Sequence, residues 1–130
     1  MNKQIVYNFA DAINSHNIDG LYALVTNDHL FVDVYGNKVE GKDKMKAGWA
    51  GYFQWFPDYK IEITQLFEDG DTVAAFGFAE GTFKGMKTHN NENNWRLPAA
   101  WKVIVADNKV KLWQVYADTK IPFDIIGRSK

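Results

Sequence analysis

The spacing of hydrophobic positions changes several times along the chain, and each spacing predicts an element. Ile5, Val6, Phe9, Ala12 and Ile13 recur at intervals of three and four. That is the period of one helix face, so a helix is expected over residues 2–15. Asn14-Ser15-His16-Asn17 breaks the pattern with turn formers. A shorter helix follows at 18–25, with Leu21, Leu24 and Val25 inward and Asp19 in its first turn, where a negative charge suits the helix dipole. Asn27-Asp28-His29 reads as a turn, and Leu30 to Tyr35 as a short strand. A third helix is expected over 42–56, with Met45, Trp49, Tyr52, Phe53 and Phe56 as its apolar stripe and Pro57 as its stop.

Beyond Pro57 the period drops to two. Tyr59, Ile61, Ile63 and Gln65 alternate with Lys60, Glu62 and Thr64, the mark of a half-buried strand. Glu68-Asp69-Gly70-Asp71 is a turn, and 72–84 a long strand in which Gly77 and Gly81 suggest a bend or bulge. The polar tract 89–94 has no period and reads as a loop, with His89 solvated or, as the alternative, a proton donor on a lid.

Residues 99–118 form the clearest unit, a hairpin turning at Asp107-Asn108, two residues that tolerate positive φ. Counted outward from that turn, Val105 meets Val110, Val103 meets Leu112, Trp101 meets Gln114 and Ala99 meets Tyr116 on one nearly apolar face. Lysines and a smaller stripe of Ile104, Trp113 and Val115 occupy the other. The tail carries Ile121, Phe123, Ile125 and Ile126 and is expected to dock on the body before Gly127. Helices in front and a strand meander behind give an α+β class: a curved antiparallel sheet wrapped by N-terminal helices into a cone.

Composition narrows the function classes. The 130 residues fit one domain over 1–130 with a real core. Aromatics reach 15%, enough for a thick core or an apolar cavity. With net charge −1 and scattered basic residues, nucleic acid is not an expected partner. No apolar run approaches a membrane span, and the N-terminus lacks a signal-peptide centre, so a cytoplasmic protein is expected. There is no cysteine, and His16, His29 and His89 lie at no ligand spacing, so no metal and no cofactor are expected.

Several stretches carry a family likeness: Phe9-Ala10-Asp11-Ala12-Ile13-Asn14, Asp19-Gly20-Leu21-Tyr22-Ala23-Leu24, Phe31-Val32-Asp33 with Gly36 and Gly41, and Trp113-Gln114-Val115-Tyr116. With the element order, these make the chain resemble the nuclear transport factor 2-like superfamily, in its SnoaL-like and ketosteroid-isomerase-related branch. The resemblance implies three helices on a curved sheet, a pocket between them, and a homodimer across the outer sheet face. The stripe Ile104, Trp113, Val115 fits that face, since an exposed apolar stripe on a sheet marks an interface.

Asp33 is the first catalytic candidate. The resemblance places it where the ketosteroid isomerases carry their proton-shuttling Asp. A carboxylate between apolar walls can take a proton from carbon next to a carbonyl. The bland alternative is a strand-end Asp bonded to a backbone N–H or a lysine. Asp118 is the second candidate, matching an acid/base Asp of SnoaL-like cyclases, or else a turn Asp bonded to Thr119 or Lys120. Gln114 and Tyr116 are polar groups on an otherwise apolar face and need partners, a ligand among them. Phe9, Trp49, Phe53 and Trp101 are core residues that could also wall a pocket.

The oxyanion hole implied by the family is absent. Phe9 stands where the isomerases have a Tyr, and Ala99 or Ala100 where they have an acid. Losing one such donor costs on the order of 100- to 1000-fold in rate. The expected function is therefore a SnoaL-like pocket protein acting on a small apolar carbonyl compound as an isomerase, cyclase or lyase, and not a standard steroid isomerase. The alternatives are a non-catalytic binder of a small apolar ligand and a dimeric interaction module.

Overall fold

The elements run α1 (Asn2–Asn14), α2 (Ile18–Ala23), β1 (Val25–Val32), β2 (Lys38–Glu40), α3 (Lys42–Trp55), β3 (Lys60–Asp69), β4 (Thr72–Thr82), β5 (Asn94–Ala106), β6 (Lys109–Tyr116) and α4 (Lys120–Arg128). The computed structural model describes residues 2–83 and 93–128, so residues 89–92 of the expected loop, His89 included, lie outside the described residues. The strands make one curved, unclosed sheet in the order β2-β1-β6-β5-β4-β3. Its β1–β6 pair is parallel and the other pairs antiparallel. The class is α+β, as the pattern predicted.

The helices cover the concave face because their apolar stripes and that face need each other. Val6, Phe9 and Ile13 of α1 and Leu21 of α2 are fully buried with Val73, Val103 and Val110 of the sheet. Side-chain hydrogen bonds then fix α1 along the exposed edge of β3. Asn14 donates to the Ile61 carbonyl (2.9 Å) and accepts from the Ile61 N–H (2.8 Å), so its amide serves the strand as a substitute neighbour. Asn2 donates to the Gly70 carbonyl at the far end of the same strand (3.0 Å).

The β5–β6 turn forms as expected, with Asp107 and Asn108 at φ of 54° and 61°. The register holds for Ala106 with Lys109 and Val105 with Val110, and then shifts. Lys111 is an extra residue in β6, a bulge, so Ile104 faces Leu112, Val103 faces Trp113 and Trp101 faces Val115. One inserted residue moves every later side chain to the opposite face. Trp113 and Val115 therefore turn inward, whereas Leu112, Gln114 and Tyr116 turn outward. The expected outer stripe of Ile104, Trp113 and Val115 is corrected: Trp113 is 0% exposed, and only Ile104 of the three lies on the outer face.

Two further expectations change, and two others are borne out with more detail. Asn27-Asp28-His29 is not a turn but part of β1, where the pairing with β6 shifts between Val25 and Leu30. Strand β5 begins at Asn94 rather than at residue 99. Pro98 is tolerated there because β6 ends at Tyr116, opposite Ala100, so Pro98 has a ladder partner only in β4. The irregularity near Gly77 is a bulge in β3 between Ile63 and Gln65, and a Cβ at Gly77 would collide with the Glu62 carbonyl oxygen. The tail is a helix, α4, that buries Ile125 and Ile126 while Ile121 and Phe123 stay exposed.

Candidate functional site

Small residues leave room where the cone opens. Ala79 on β4, Ala99 on β5, Ala117 after β6 and Gly48 on α3 all border a cavity of about 460 Å³. The sheet forms its floor, α3 one wall and α4 the other. The turn between β1 and β2 stands at its mouth with Asp33, Val34 and Tyr35. Trp49 and Tyr52 from α3 meet Tyr59 and Trp95 from the sheet in a chain of ring contacts. Tyr52 packs edge-on to both Trp49 (6.0 Å between centroids, 87°) and Tyr59 (4.8 Å, 87°). Phe56 packs edge-on to Trp95 (5.3 Å, 86°).

Asp33 has two roles in this geometry. It borders the cavity, and it builds the turn that places it there. Its Oδ1 accepts the backbone N–H groups of Tyr35 and Asn37 (both 2.9 Å), and its Oδ2 accepts the Asn37 side-chain amide (3.1 Å). An ionised carboxylate offers about four lone-pair positions, so one acceptor position remains. Among the described residues no lysine or arginine forms an ion pair with Asp33. The turn also reaches α4: the Tyr35 hydroxyl lies 3.3 Å from Thr119 Oγ1, and its ring 6.0 Å from that of Phe123.

The other polar groups of note in the wall are Tyr52 and Tyr59 and the indole N–H groups of Trp49 and Trp95, which are buried without a partner among the described residues. Burial pushes both phenols above their ordinary range. Both stay protonated at neutral pH.

Of the residues expected at a site, the cavity takes Asp33 and Trp49. Phe9 and Trp101 lie in the core beneath, each against Trp113 (4.6 and 6.1 Å between centroids), and Phe53 stacks on His16 (3.9 Å, 6°). Gln114 and Tyr116 are on the outer sheet face because of the bulge at Lys111. Asp118 is exposed before α4, where its Oδ1 accepts the Lys120 N–H (3.0 Å), the turn role that was its alternative reading.

Sequence reasoning missed Tyr52, Phe56, Tyr59 and Trp95 as cavity residues. The periodicity of Tyr52, Phe56 and Tyr59 fits a core position equally well, and Trp95 precedes the expected start of its strand.

A model of the SnoaL-like domain matches residues 6–113. The chain belongs to the SnoaL-like family. Similar solved structures share the fold over nearly the whole chain. A hypothetical protein with a ketosteroid isomerase-like fold from Catenulispora acidiphila DSM 44928, solved with trimethylamine, has TM-score 0.82 at 22% identity, covering 95% of this chain and 92% of that one. IdmH from Streptomyces antibioticus, described as a candidate polyketide cyclase, has TM-score 0.81 at 17% identity, covering 98% and 99%. A Mycobacterium tuberculosis LEH-like epoxide hydrolase has TM-score 0.77 at 16% identity, covering 97% and 89%. The comparison with curated proteins gives no match.

Among the described residues of this SnoaL-like chain, no group of three His, Cys, Asp or Glu side chains is placed to hold a metal. No described helix is long and apolar enough to cross a membrane.

Proposed function

We propose that the cavity binds a small, largely apolar carbonyl compound and that Asp33 acts on it as general base. The observation that carries this reading is a lone carboxylate, free of any cationic partner among the described residues, on the border of an otherwise apolar space. A base in that setting takes a proton from carbon next to the carbonyl, the first step of isomerisation, cyclisation and elimination alike. The family's oxyanion donors are not replaced at Phe9, which is core, or at Ala99, which borders the cavity without a donor. A developing oxyanion would then take its donors from the unpartnered indole N–H groups of Trp49 and Trp95, or the substrate's α-proton is already acidic.

The test is deuterium uptake next to the carbonyl of apolar ketones in heavy water. Asp33→Asn keeps an oxygen for the two backbone N–H groups and removes the base. It should lower exchange by about 100- to 10,000-fold and leave the affinity for the neutral ketones nearly unchanged. Exchange at the wild-type rate in Asp33→Asn would remove Asp33 from the chemistry.

A second reading, a non-catalytic binder, is favoured by one observation: three donors already hold the Asp33 carboxylate in its turn. Binding without exchange in the wild type would select it. We further propose that two copies associate through the outer sheet face. The support is an exposed patch of Phe67, Phe76 and Tyr116, with Ile104 and Leu112 beside it. A charged group bounds the patch, in which Arg96 pairs with Glu62 (2.8 Å) and Glu80 (2.6 Å).

A further inference from the structure

Among the described residues that border the cavity, nine side chains are aromatic, one is a carboxylate, and none is Lys, Arg or His. That combination is more selective than apolarity alone. A neutral aliphatic ligand is satisfied by aliphatic walls, and the inner sheet face could supply them, since Val73, Val103 and Val110 wall the core a few residues away. The cavity instead presents rings, whose faces carry partial negative charge. Trp49, Tyr52, Phe56, Tyr59 and Trp95 surround its inner part and contact one another edge to face or tilted.

Charge points the same way. Asp33 at the mouth has no cationic partner among the described residues, and the two buried phenols remain neutral. An anionic ligand would meet no counter-charge among the described residues and would lose its hydration. A positively charged group loses less, because ring faces replace its water and a carboxylate lies within the same space.

We infer that the natural ligand of this cavity carries a tertiary or quaternary ammonium group on an apolar body, with the charge held against the rings of Trp49, Tyr52, Tyr59 and Trp95. Such a group needs few or no acceptors, and among the described side chains of the inner wall the only oxygens are those of the Tyr52 and Tyr59 phenols. Asp33 acts on it through the field at the mouth, and its remaining acceptor position stays available. The inference rests on the proposed reading of the cavity as a ligand site, but does not require Asp33 to move a proton.

The experiment compares phenyltrimethylammonium with tert-butylbenzene, its carbon isostere, by quenching of tryptophan fluorescence in the full chain. The two have nearly the same shape and differ in charge. The cation should bind about tenfold tighter or better. Asp33→Asn should reduce that preference while leaving the isostere's affinity unchanged, and Trp49→Leu should reduce it as well. If the isostere binds as tightly as the cation, the inference fails while the cavity remains a ligand site. If neither binds, and apolar ketones do not bind either, the reading of the cavity fails with it.

Discussion

Trp113 lies against Phe9 with ring centroids 4.6 Å apart and planes tilted by 44°, which locks the inward turn of β6 onto α1. Trp101 packs on the other side of the same indole, at 6.1 Å. Removing so large a ring from a closed core leaves a cavity that its neighbours cannot fill. Trp113→Ala is expected to cost about 3–5 kcal/mol in urea unfolding. A loss below about 1 kcal/mol would show that the indole is not in the core.

His29 gives the fold a dependence on pH. It is 0% exposed and sits near the Phe9 ring. One nitrogen, Nδ1, lies 2.8 Å from the Val110 carbonyl, so it carries the hydrogen, and Nε2 has no partner among the described residues. Burial lowers its pKa below the ordinary histidine value of 6.5; the hydrogen bond to Val110 and the nearby Asp28 oppose this more weakly. The unfolded chain therefore takes up a proton at a pH where the folded chain does not. The stabilising contribution is full above pH 6.5 and is lost as pH falls from there through the lowered folded value. Urea midpoints measured from pH 8 downward should fall more steeply in the wild type than in His29→Asn, whose amide can replace the Nδ1 donor without titrating. Parallel slopes would contradict the assignment.

The proposed association through the outer face has its own test. Ile104→Glu combined with Phe76→Glu places charges in the patch without entering the core. The variant should sediment as monomer at concentrations where the wild type is a dimer. Equal sedimentation of the two chains would remove this face as the interface.

Much of this arrangement was legible in the sequence. Helix periods located α1 and α3 because their buried positions recur over three or more turns. Asp107-Asn108 marked the hairpin because only a few residue types accept positive φ. The bulge at Lys111 was not legible by counting from the turn, since a bulge has no fixed composition. A clue was nevertheless present: the continuous register put Gln114 and Tyr116 on an apolar face and Trp113 among lysines. The shifted register resolves both anomalies at once. His29 was misread because polar neighbours suggest a turn, and only β1's irregular pairing with β6 could turn it inward. The cavity itself depends on where small residues face large ones across non-adjacent elements. Ala79 and Ala99 are too common in sheets to announce that.

The account stands on the concave cavity being the place where a ligand sits. Contacts between protons of bound 2-acetylnaphthalene and labelled protein methyl groups, read by nuclear Overhauser effects, test this most directly. The expected contacts are with Ala79, Ala99, Val115 and Ile126, which border the cavity from both sheet and helix. Contacts confined to Ala74, Ala100 and Ile104 on the outer face would contradict it.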